Sequence, residues 1–246
     1  MFDSICIDVE LIVFDKDGTL IDFHHLWSQR AELGVDALIA QIDGNDTLRS
    51  NIYKALGYDA AARRTCSNGP FSTAPIEELG VIAASVVCQY GTDWHEAMDH
   101  VRTTFCLALQ NPPTADLIVP RGNVKAVFHA LGAHGVKIAV ATTDSRAGTE
   151  QTLQLLGVRH LLIDIKCGDD ADTRKPDPRV LRELAASADI DTRKVAMVGD
   201  TIGDLRMARE AGAHAIAITG GAGADAEIAP LADASIASLN EISARN

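Results

Sequence analysis

The chain has 246 residues, 47% of them hydrophobic, and its 34 acidic residues exceed its 22 basic ones to give a net charge of −12. This length allows one large or two unequal domains with a full core, and the composition disfavours extensive disorder. The lack of a Lys/Arg cluster in so acidic a chain disfavours a nucleic-acid partner. An anionic substrate would therefore need positive charge from a few local lysines, helix N-termini or a metal ion.

Cysteine usage and the N-terminal residues bear on the compartment. The cysteines are spread along the chain without the spacing of a zinc site, which is typical of free thiols in a reducing compartment. They are Cys6, Cys66, Cys88, Cys106 and Cys167. The first residues carry Asp3, Asp8 and Glu10 and lack a basic segment of the signal-peptide kind. The uncharged stretch 79–91 is shorter than the ~20 residues of a membrane span. We expect a cytoplasmic protein with no membrane partner.

The first predicted element is a buried strand that stops at two carboxylates. Residues 11–14 form a short apolar run, Leu-Ile-Val-Phe, which is typical of a strand covered on both faces. Asp15-Lys16-Asp17-Gly18-Thr19 follows and contains turn residues. Asp15 and Asp17 would therefore lie at the carboxyl end of a strand, where open α/β sheets bind ligands. Because Asp-x-Asp-Gly is also an ordinary solvated turn, the rest of the chain has to decide between the two interpretations.

Residues 22–113 carry helical patterns and little evidence of strands. Amphipathic stripes predict helices at residues 48–56, 76–90 and 94–109. Gly57 and Gly91 are placed to end the first two of these helices. A segment of this length far exceeds the dozen or so residues that a crossover between parallel strands needs, so we expect an inserted helical domain.

From residue 114 onward, predicted helices and strands alternate. Strands are predicted at 136–141, 161–165, 195–198, 215–218 and 234–236, and helices at 124–131, 149–156, 177–188 and 204–211. This alternation predicts a Rossmann-like, doubly wound parallel sheet with helices on both faces, and the strand at 11–14 belongs to it. The predicted division is a core domain of residues 1–21 and 114–246 and an inserted domain of residues 22–113. Residues 220–223 are predicted to be a flexible loop.

Polar groups follow the predicted strands at four places, namely residues 15–17, 142–144, 175–176 and 199–204. Each has an ordinary explanation: Thr142 and Thr143 as strand caps, Lys175 as a solvated charge and Asp204 as a helix N-cap. The carboxyl ends of parallel strands share one edge, however, so we expect the four groups to converge. Crowded carboxylates repel one another unless a cation holds them, and oxygen ligands without His or Cys favour Mg²⁺. Carboxylates, Mg²⁺, hydroxyls and one lysine together favour phosphoryl transfer.

The same residues carry a family resemblance. Residues 14–20, Thr142, Lys175-Pro176 and residues 199–204 resemble, in order, the four motifs of the haloacid dehalogenase superfamily. The inserted helices resemble its helical cap, and residues 198–213 resemble its phosphoglycolate-phosphatase-like branch. The resemblance implies a Mg²⁺-dependent phosphatase for a small phosphate monoester, such as phosphoglycolate or a sugar phosphate. The alternatives are a phosphomutase of the same branch and a non-catalytic binding or regulatory protein that kept the fold.

The resemblance also implies roles for the matched residues. Asp15 would be the nucleophile that forms an aspartyl-phosphate, and Asp17 the general acid and then the general base. Thr142 and the N–H of Thr143 would bind the phosphoryl oxygens, and Lys175 would neutralise charge on the phosphate and on Asp15. The implied metal ligands are Asp15, Asp17 through its backbone carbonyl, Asp200 and Asp204.

Two positions depart from the family pattern. Lys16 stands where the family commonly has an uncharged residue, and the interpretation is that it points away from the site. Thr143 stands where Asn is frequent, which leaves the Thr142 hydroxyl intact. In the inserted domain, the candidates for substrate specificity are His24, His25, Trp27, Arg30 and the loop 67–73. His24 and Arg30 are the two predicted to bind substrate, a small phosphorylated metabolite, in a monomer or homodimer.

Overall fold

A computed structural model describes residues 7–67, 69–170 and 173–243, and it divides the chain into two compact units. The core unit comprises the residues up to 23 and from 118 onward, and the helical unit comprises residues 24–117. The predicted insert of residues 22–113 compares with an observed one of 24–117. Of the residues considered above, Asp3, Cys6 and Asn68 of the loop 67–73 lie outside the described residues.

The described strands are short and the helices vary widely in length. The strands are β1 (Leu11–Phe14), β2 (Tyr58–Asp59), β3 (Arg64–Thr65), β4 (Lys137–Ala141), β5 (Asp164–Lys166), β6 (Val195–Gly199), β7 (His214–Ile218) and β8 (Ala234–Ile236). The helices are α1 (Phe23–Gln41), α2 (Asp46–Leu56), α3 (Pro70–Thr73), α4 (Ile76–Cys88), α5 (Trp94–Val101), α6 (Leu107–Gln110), α7 (Val124–Ala133), α8 (Arg146–Leu155), α9 (Arg179–Ser187), α10 (Ile202–Ala211) and α11 (Asp225–Ile228). A π-helical turn, Arg102–Cys106, joins α5 to α6.

The core unit is built on a parallel sheet of order β5-β4-β1-β6-β7-β8. Strand β1 lies in its middle, with Phe14 aligned with Val140 of β4 and Val198 of β6. Because these pairs are in register, the residues that follow the three strands lie side by side at the carboxyl edge. The predicted doubly wound parallel fold is confirmed.

Both faces of β1 are covered, as its uninterrupted apolar sequence predicts. Successive side chains of a strand point to opposite faces. On one face, Leu11 and Val13 belong to a buried cluster with residues of α9 and α10, such as Leu181 and Leu205. On the other, the Phe14 ring lies 5.0 Å from the ring of Phe128 on α7. Fully burying each such side chain stabilises the fold by about 1.5–3 kcal/mol.

The helical unit contains the helices predicted from stripes, and also one helix and two short strands that the stripes missed. Helix α1 was missed because its apolar side chains are not confined to one stripe. The antiparallel pair β2–β3 was missed because two-residue strands are too short to show alternation. The loop 67–73 contains the short helix α3, whose Phe71 packs edge-on against Trp27 at 5.9 Å. Gly57 adopts φ +71° and ends α2 as predicted.

Several predicted boundaries were wrong by a few residues because polar caps or a 3-10 turn set them. Helix α8 begins at Arg146, since the Ser145 side chain caps it by accepting from the Gly148 N–H. Helix α9 begins at Arg179 instead of at residue 177, and the Asp177 carboxylate accepts from the Arg179 N–H at 2.8 Å. Strand β5 begins only at Asp164, because a 3-10 turn occupies residues 159–161.

Candidate active site

The structure brings four predicted residues together at the carboxyl edge of the core sheet. Asp15 follows β1, while Asp200 follows β6 and Asp204 lies in the first turn of α10. The Lys175 Nζ lies 2.5 Å from Asp15 Oδ1 and 3.2 Å from the Ala141 carbonyl oxygen, and it pairs with Asp204 as well. One ammonium therefore connects the ends of β1 and β4 with the start of α10.

The carboxylates around this lysine form a compact acidic group. One oxygen from each of Asp15, Asp200 and Asp204 lies within 4.8 Å of the others, and all three residues are buried. Three carboxylates thus face a single ammonium. In a buried site such an excess of negative charge is stable only if protons or a cation offset it. All the ligand atoms are oxygens, which is the donor set of a hard cation such as Mg²⁺.

The pKa values of these groups reflect the same excess of negative charge. Burial raises the pKa of Asp15 well above its usual value, and although Lys175 lowers it, Asp204 and Asp200 raise it further. Burial, together with the charge of Asp204, raises the pKa of Asp200 to about 7. Burial alone would lower the pKa of Lys175, but the charges of Asp15 and Asp204 outweigh it and raise that pKa. The lysine therefore stays charged, while the carboxylates need a counter-charge.

Asp200 is held by a backbone N–H of the loop 220–223, which was predicted to be flexible, and by a hydroxyl group of the loop after β1. Its Oδ2 accepts from the Ala222 N–H at 2.6 Å, and its Oδ1 accepts from the Thr19 hydroxyl at 3.2 Å. A Cβ at Gly18 or Gly221 would overlap the Asp200 carboxylate, so both positions need glycine for this close approach. The loop 220–223 therefore belongs to the site. Its position directly after the strand β7 is the sequence feature that indicates this.

Asp204 combines a structural and a site contact. It is the third residue of α10 and not its N-cap, which is Thr201. Its Oδ2 accepts from the Thr201 hydroxyl at 2.7 Å and from the Thr201 N–H at 3.2 Å, as in a capping box. Its Oδ1 pairs with Lys175. The helix start thus fixes the carboxylate, and one oxygen remains directed at the acidic group.

The prediction that Lys16 points away from the site was wrong. Its side chain is fully buried, and its Nζ lies 2.6 Å from Asp17 Oδ1 and 2.9 Å from Asp144 Oδ2. A buried ammonium needs carboxylate partners, and these two lie at adjacent strand ends. Burial alone would lower the pKa of Lys16, but the two carboxylates raise it. Asp17 therefore holds Lys16 with its side chain, and its predicted contact to a metal through the backbone carbonyl stays a prediction.

The residues after β4 differ in exposure. Thr142 is buried, its N–H donates to the Lys166 carbonyl at 2.9 Å and its hydroxyl oxygen accepts from the Asp144 N–H at 3.1 Å. Thr143 is exposed. Both lie at the edge where Asp15 lies, as predicted, and their phosphoryl-binding roles stay predictions. Asp144 was not assigned a role from the sequence, because nothing local distinguishes it from a turn aspartate.

Arg121 is a further residue that sequence reasoning missed. Its guanidinium donates to the carbonyl oxygens of Gly18 and Thr219, and its N–H donates to the Leu20 carbonyl at 2.9 Å. It therefore ties the loop after β1 to the end of β7. An isolated arginine carries no pattern that would have revealed these partners, which lie about 100 residues away in both directions along the chain.

The candidates for specificity lie in the helical unit, where α1 carries His24, His25, Trp27 and Arg30. Arg30 is buried, its Cζ lies 4.9 Å from the centroid of the Trp27 ring, and its Nη2 donates to the Asn111 carbonyl at 2.8 Å. His25 is exposed, with its Nε2 3.0 Å from the Asp116 carbonyl oxygen. These contacts stabilise the unit itself, so the predicted binding roles of His24 and Arg30 stay predictions.

Other predictions concern membranes and cysteines. Within the part of the chain that the structure describes, no helix is both long and apolar enough to span a bilayer. The described cysteines, Cys66, Cys88, Cys106 and Cys167, are all free thiols, as predicted. Burial raises the pKa values of Cys106 and Cys167 to about 11, which keeps these thiols protonated and unreactive at neutral pH.

Comparison with known proteins places this chain in a family. The model of the haloacid dehalogenase-like hydrolases matches residues 9–212. A phosphoglycolate phosphatase of Rhodospirillum rubrum is 29% identical over 85% of this chain and 79% of its own, and one of Psychrobacter arcticus is 24% identical over 87% and 85%. A predicted phosphoglycolate phosphatase from Haemophilus somnus superposes with a TM-score of 0.66 at 20% identity, covering 94% of this chain and 95% of its own.

A second solved structure, CbbY from Rhodobacter sphaeroides in complex with phosphate, has a TM-score of 0.59 at 20% identity over 94% and 95% of the two chains. At these identities the solved structures support the fold alone. The predicted resemblance and the predicted enzyme class, a phosphoric monoester hydrolase, are confirmed by the family match and the named relatives. The chain belongs to the haloacid dehalogenase-like hydrolase family.

Proposed function

We propose that the protein is a Mg²⁺-dependent phosphatase that hydrolyses a small phosphate monoester through an aspartyl-phosphate on Asp15. The observation that carries the proposal is the buried group in which Lys175 holds the Asp15 carboxylate, beside Asp200 and Asp204. This arrangement offers a nucleophile, a fixed positive charge and a set of cation ligands within a few ångströms. Phosphoryl transfer needs mainly such positioning and charge neutralisation.

The residues present fit a magnesium ion. Three buried carboxylates against one ammonium leave a negative charge that a divalent cation would offset, and the ligand atoms are all oxygens. Asp15, Asp200 and Asp204 would hold the ion, together with the backbone carbonyl of Asp17. When bound, Mg²⁺ would neutralise charge on the carboxylates and on the phosphoryl oxygens.

The chain's own residues account for the two chemical steps. In the first, an Asp15 carboxylate oxygen attacks phosphorus, the bond to the ester oxygen breaks, and Asp17 donates a proton to the departing alkoxide. In the second, Asp17 takes a proton from a water molecule, which attacks the phosphorus of the aspartyl-phosphate and releases inorganic phosphate and free Asp15. Lys175 keeps its positive charge beside Asp15 throughout, and Thr142 and Thr143 bind the phosphoryl oxygens.

The relatives support a small phosphorylated metabolite as substrate. Two curated relatives that align over most of this chain are named phosphoglycolate phosphatases. A crystal structure of a CbbY variant holds xylulose-1,5-bisphosphate. We therefore propose a phosphoglycolate-type or sugar-phosphate monoester for this chain. Its cytoplasmic location and its monomeric or dimeric state stay predictions.

The test is phosphate release by the purified protein. With Mg²⁺ we expect hydrolysis of p-nitrophenyl phosphate and faster hydrolysis of phosphoglycolate or a sugar phosphate, and loss of activity on metal removal by chelation. Asp15→Asn should lower kcat by at least ~10⁴-fold. In the wild type, single-turnover reaction with a ³²P-labelled ester should give a hydroxylamine-labile phosphoprotein. Asp189→Asn is the matched control, because Asp189 is exposed and Asn tolerates its φ of +56°.

The outcomes separate the alternatives. Unchanged activity in Asp15→Asn would contradict the assignment of the nucleophile. Phosphoprotein formation with little free phosphate unless a bisphosphate sugar is added would favour a phosphomutase. Binding of Mg²⁺ without hydrolysis of any monoester in a metabolite screen would favour a non-catalytic binding protein.

A further inference from the structure

We propose that Lys16 is a positioning residue that fixes the carboxylate of Asp17 for proton transfer. The proposal rests on the proposed function, in which Asp17 passes the proton. Lys16 stands between the two aspartates of the catalytic loop and is fully buried. Its Nζ lies 2.6 Å from Asp17 Oδ1.

The ammonium of Lys16 is itself held from the neighbouring strand end. Its Nζ lies 2.9 Å from Oδ2 of Asp144, a buried residue that follows β4. The other carboxylate oxygen of Asp144 accepts from the Ser145 N–H at 2.7 Å, and its carbonyl accepts from the Gly168 N–H at 2.8 Å. Asp144 is therefore held in place by its own contacts, and Lys16 links it to the carboxylate of Asp17.

The backbone of Lys16 is equally constrained. Its carbonyl oxygen accepts from the N–H groups of Leu20 at 2.9 Å and Ile21 at 3.2 Å, so the loop closes over the lysine. An apolar side chain would fill this position without desolvating an ammonium group. The lysine instead supplies a directional contact that an apolar side chain lacks.

The contact distinguishes the two oxygens of Asp17. The salt bridge occupies Oδ1, which leaves Oδ2 to carry the transferred proton. The Asp17 side chain is 12% exposed, against 0% for Lys16, so the carboxylate lies at the boundary between the buried pair and the open edge of the site. Lys16 therefore orients the proton-carrying oxygen and does not itself touch the reacting atoms.

This role predicts a selective defect. An alkoxide leaving group needs a proton from Asp17, whereas p-nitrophenolate is stable without one. The ratio kcat/KM reports the steps up to cleavage of the ester, so it isolates the proton donation from the later hydrolysis of the phosphoenzyme. Loss of Lys16 should therefore lower kcat/KM for an alkyl phosphate much more than for p-nitrophenyl phosphate.

The variant for the test is the double replacement Lys16→Met with Asp144→Asn, which avoids leaving a buried carboxylate without its cation. We expect kcat/KM for phosphoglycolate to fall by about 10- to 100-fold and that for p-nitrophenyl phosphate by less than about threefold. Calorimetric affinity for Mg²⁺ should stay within about twofold, since the three acidic ligands are untouched. Lys194→Met is the control, because Lys194 pairs with Asp8 on the surface.

Equal losses on both substrates, or no loss on either, would overturn the positioning role. If circular dichroism shows that the double variant does not fold, Asp144→Asn alone keeps the test, since it removes the Asp144 carboxylate and leaves the pair of Lys16 and Asp17. It should show a smaller loss with the same selectivity, and equal effects on both substrates would again overturn the proposal. A wild-type protein that hydrolyses neither ester would instead contradict the proposed function, and the inference with it.

Discussion

Two lysines bury their side chains at the same edge of the core sheet, and their surroundings differ in charge. Lys175 contacts Asp15 and Asp204, and Asp200 completes a group of three buried carboxylates. Lys16 contacts Asp17 and Asp144 in a pair of salt bridges. Among the described residues, the three-carboxylate group suited to a metal is found around Lys175 and not around Lys16. The first cluster therefore has an excess of negative charge that suits a cation, whereas in the second one ammonium is shared by two carboxylates.

The largest effect is expected from Lys175→Met, which removes the ammonium of the first cluster. The replacement leaves three buried carboxylates with no cation, which should destabilise the metal-free protein by about 3–5 kcal/mol and lower kcat by about 10³-fold. Added Mg²⁺ should recover most of the stability but not the activity. Thermal melts with and without Mg²⁺ measure this recovery of stability, and Lys194→Met is the control. A variant whose melting temperature rises with Mg²⁺ no more than that of the wild type would contradict the charge argument.

The pH dependence of stability should distinguish the metal-free from the metal-bound protein. The folded-state pKa values of Asp15 and Asp200 are raised, that of Asp200 to about 7, so the folded protein binds protons more tightly than the unfolded chain. The free energy of unfolding of the metal-free protein should therefore fall by a few kcal/mol as the pH rises from about 4 to about 7. Bound Mg²⁺ should remove this fall. Urea titrations at pH 5 and pH 8 test it, and a flat profile without metal would contradict it.

A smaller effect, confined to the Lys175 cluster, is expected from Gly221→Ala. The added Cβ would overlap the Asp200 carboxylate and displace a ligand, so Mg²⁺ affinity should weaken by about 10- to 100-fold. Gly132→Ala is the matched control, because a Cβ there meets nothing within 4 Å. Isothermal titration calorimetry measures the affinities. Equal affinities in the two variants would mean that the loop 220–223 does not fix Asp200.

The smallest effect is expected from Arg121→Met, which touches a loop common to both lysine clusters. Loss of the guanidinium leaves the carbonyls of Gly18 and Thr219 without their donor and should cost about 1–3 kcal/mol of stability. We expect kcat to fall only a few-fold for both ester classes, in contrast to the selective loss predicted for Lys16. Arg193→Met is the control, since Arg193 pairs with Asp191 on the surface. A loss of kcat confined to alkyl esters would contradict this expectation, because it would match the selective loss predicted for Lys16.

Local sequence patterns were sufficient for the sheet and for the four strand-end motifs. A strand whose residues are all apolar, such as β1, has to be buried on both faces, and a carboxylate that follows it has to lie at the sheet edge. Prediction was weaker where a cap decides a boundary, as Ser145 does for α8, because a polar residue before a helix has several possible roles. It failed for α1, whose apolar residues follow no single stripe.

The sequence by itself indicated that Asp15, Thr142, Lys175 and Asp200 meet at one edge, since the carboxyl ends of parallel strands all lie at the same edge of a sheet. The tertiary structure alone decided the further contacts of these groups. Lys175 also pairs with Asp204, and the Thr19 hydroxyl donates to Asp200 from 181 residues away. Lys16 turned inward for the same reason: the energy of a buried charge depends on partners that folding brings from other strands, and no local pattern records them.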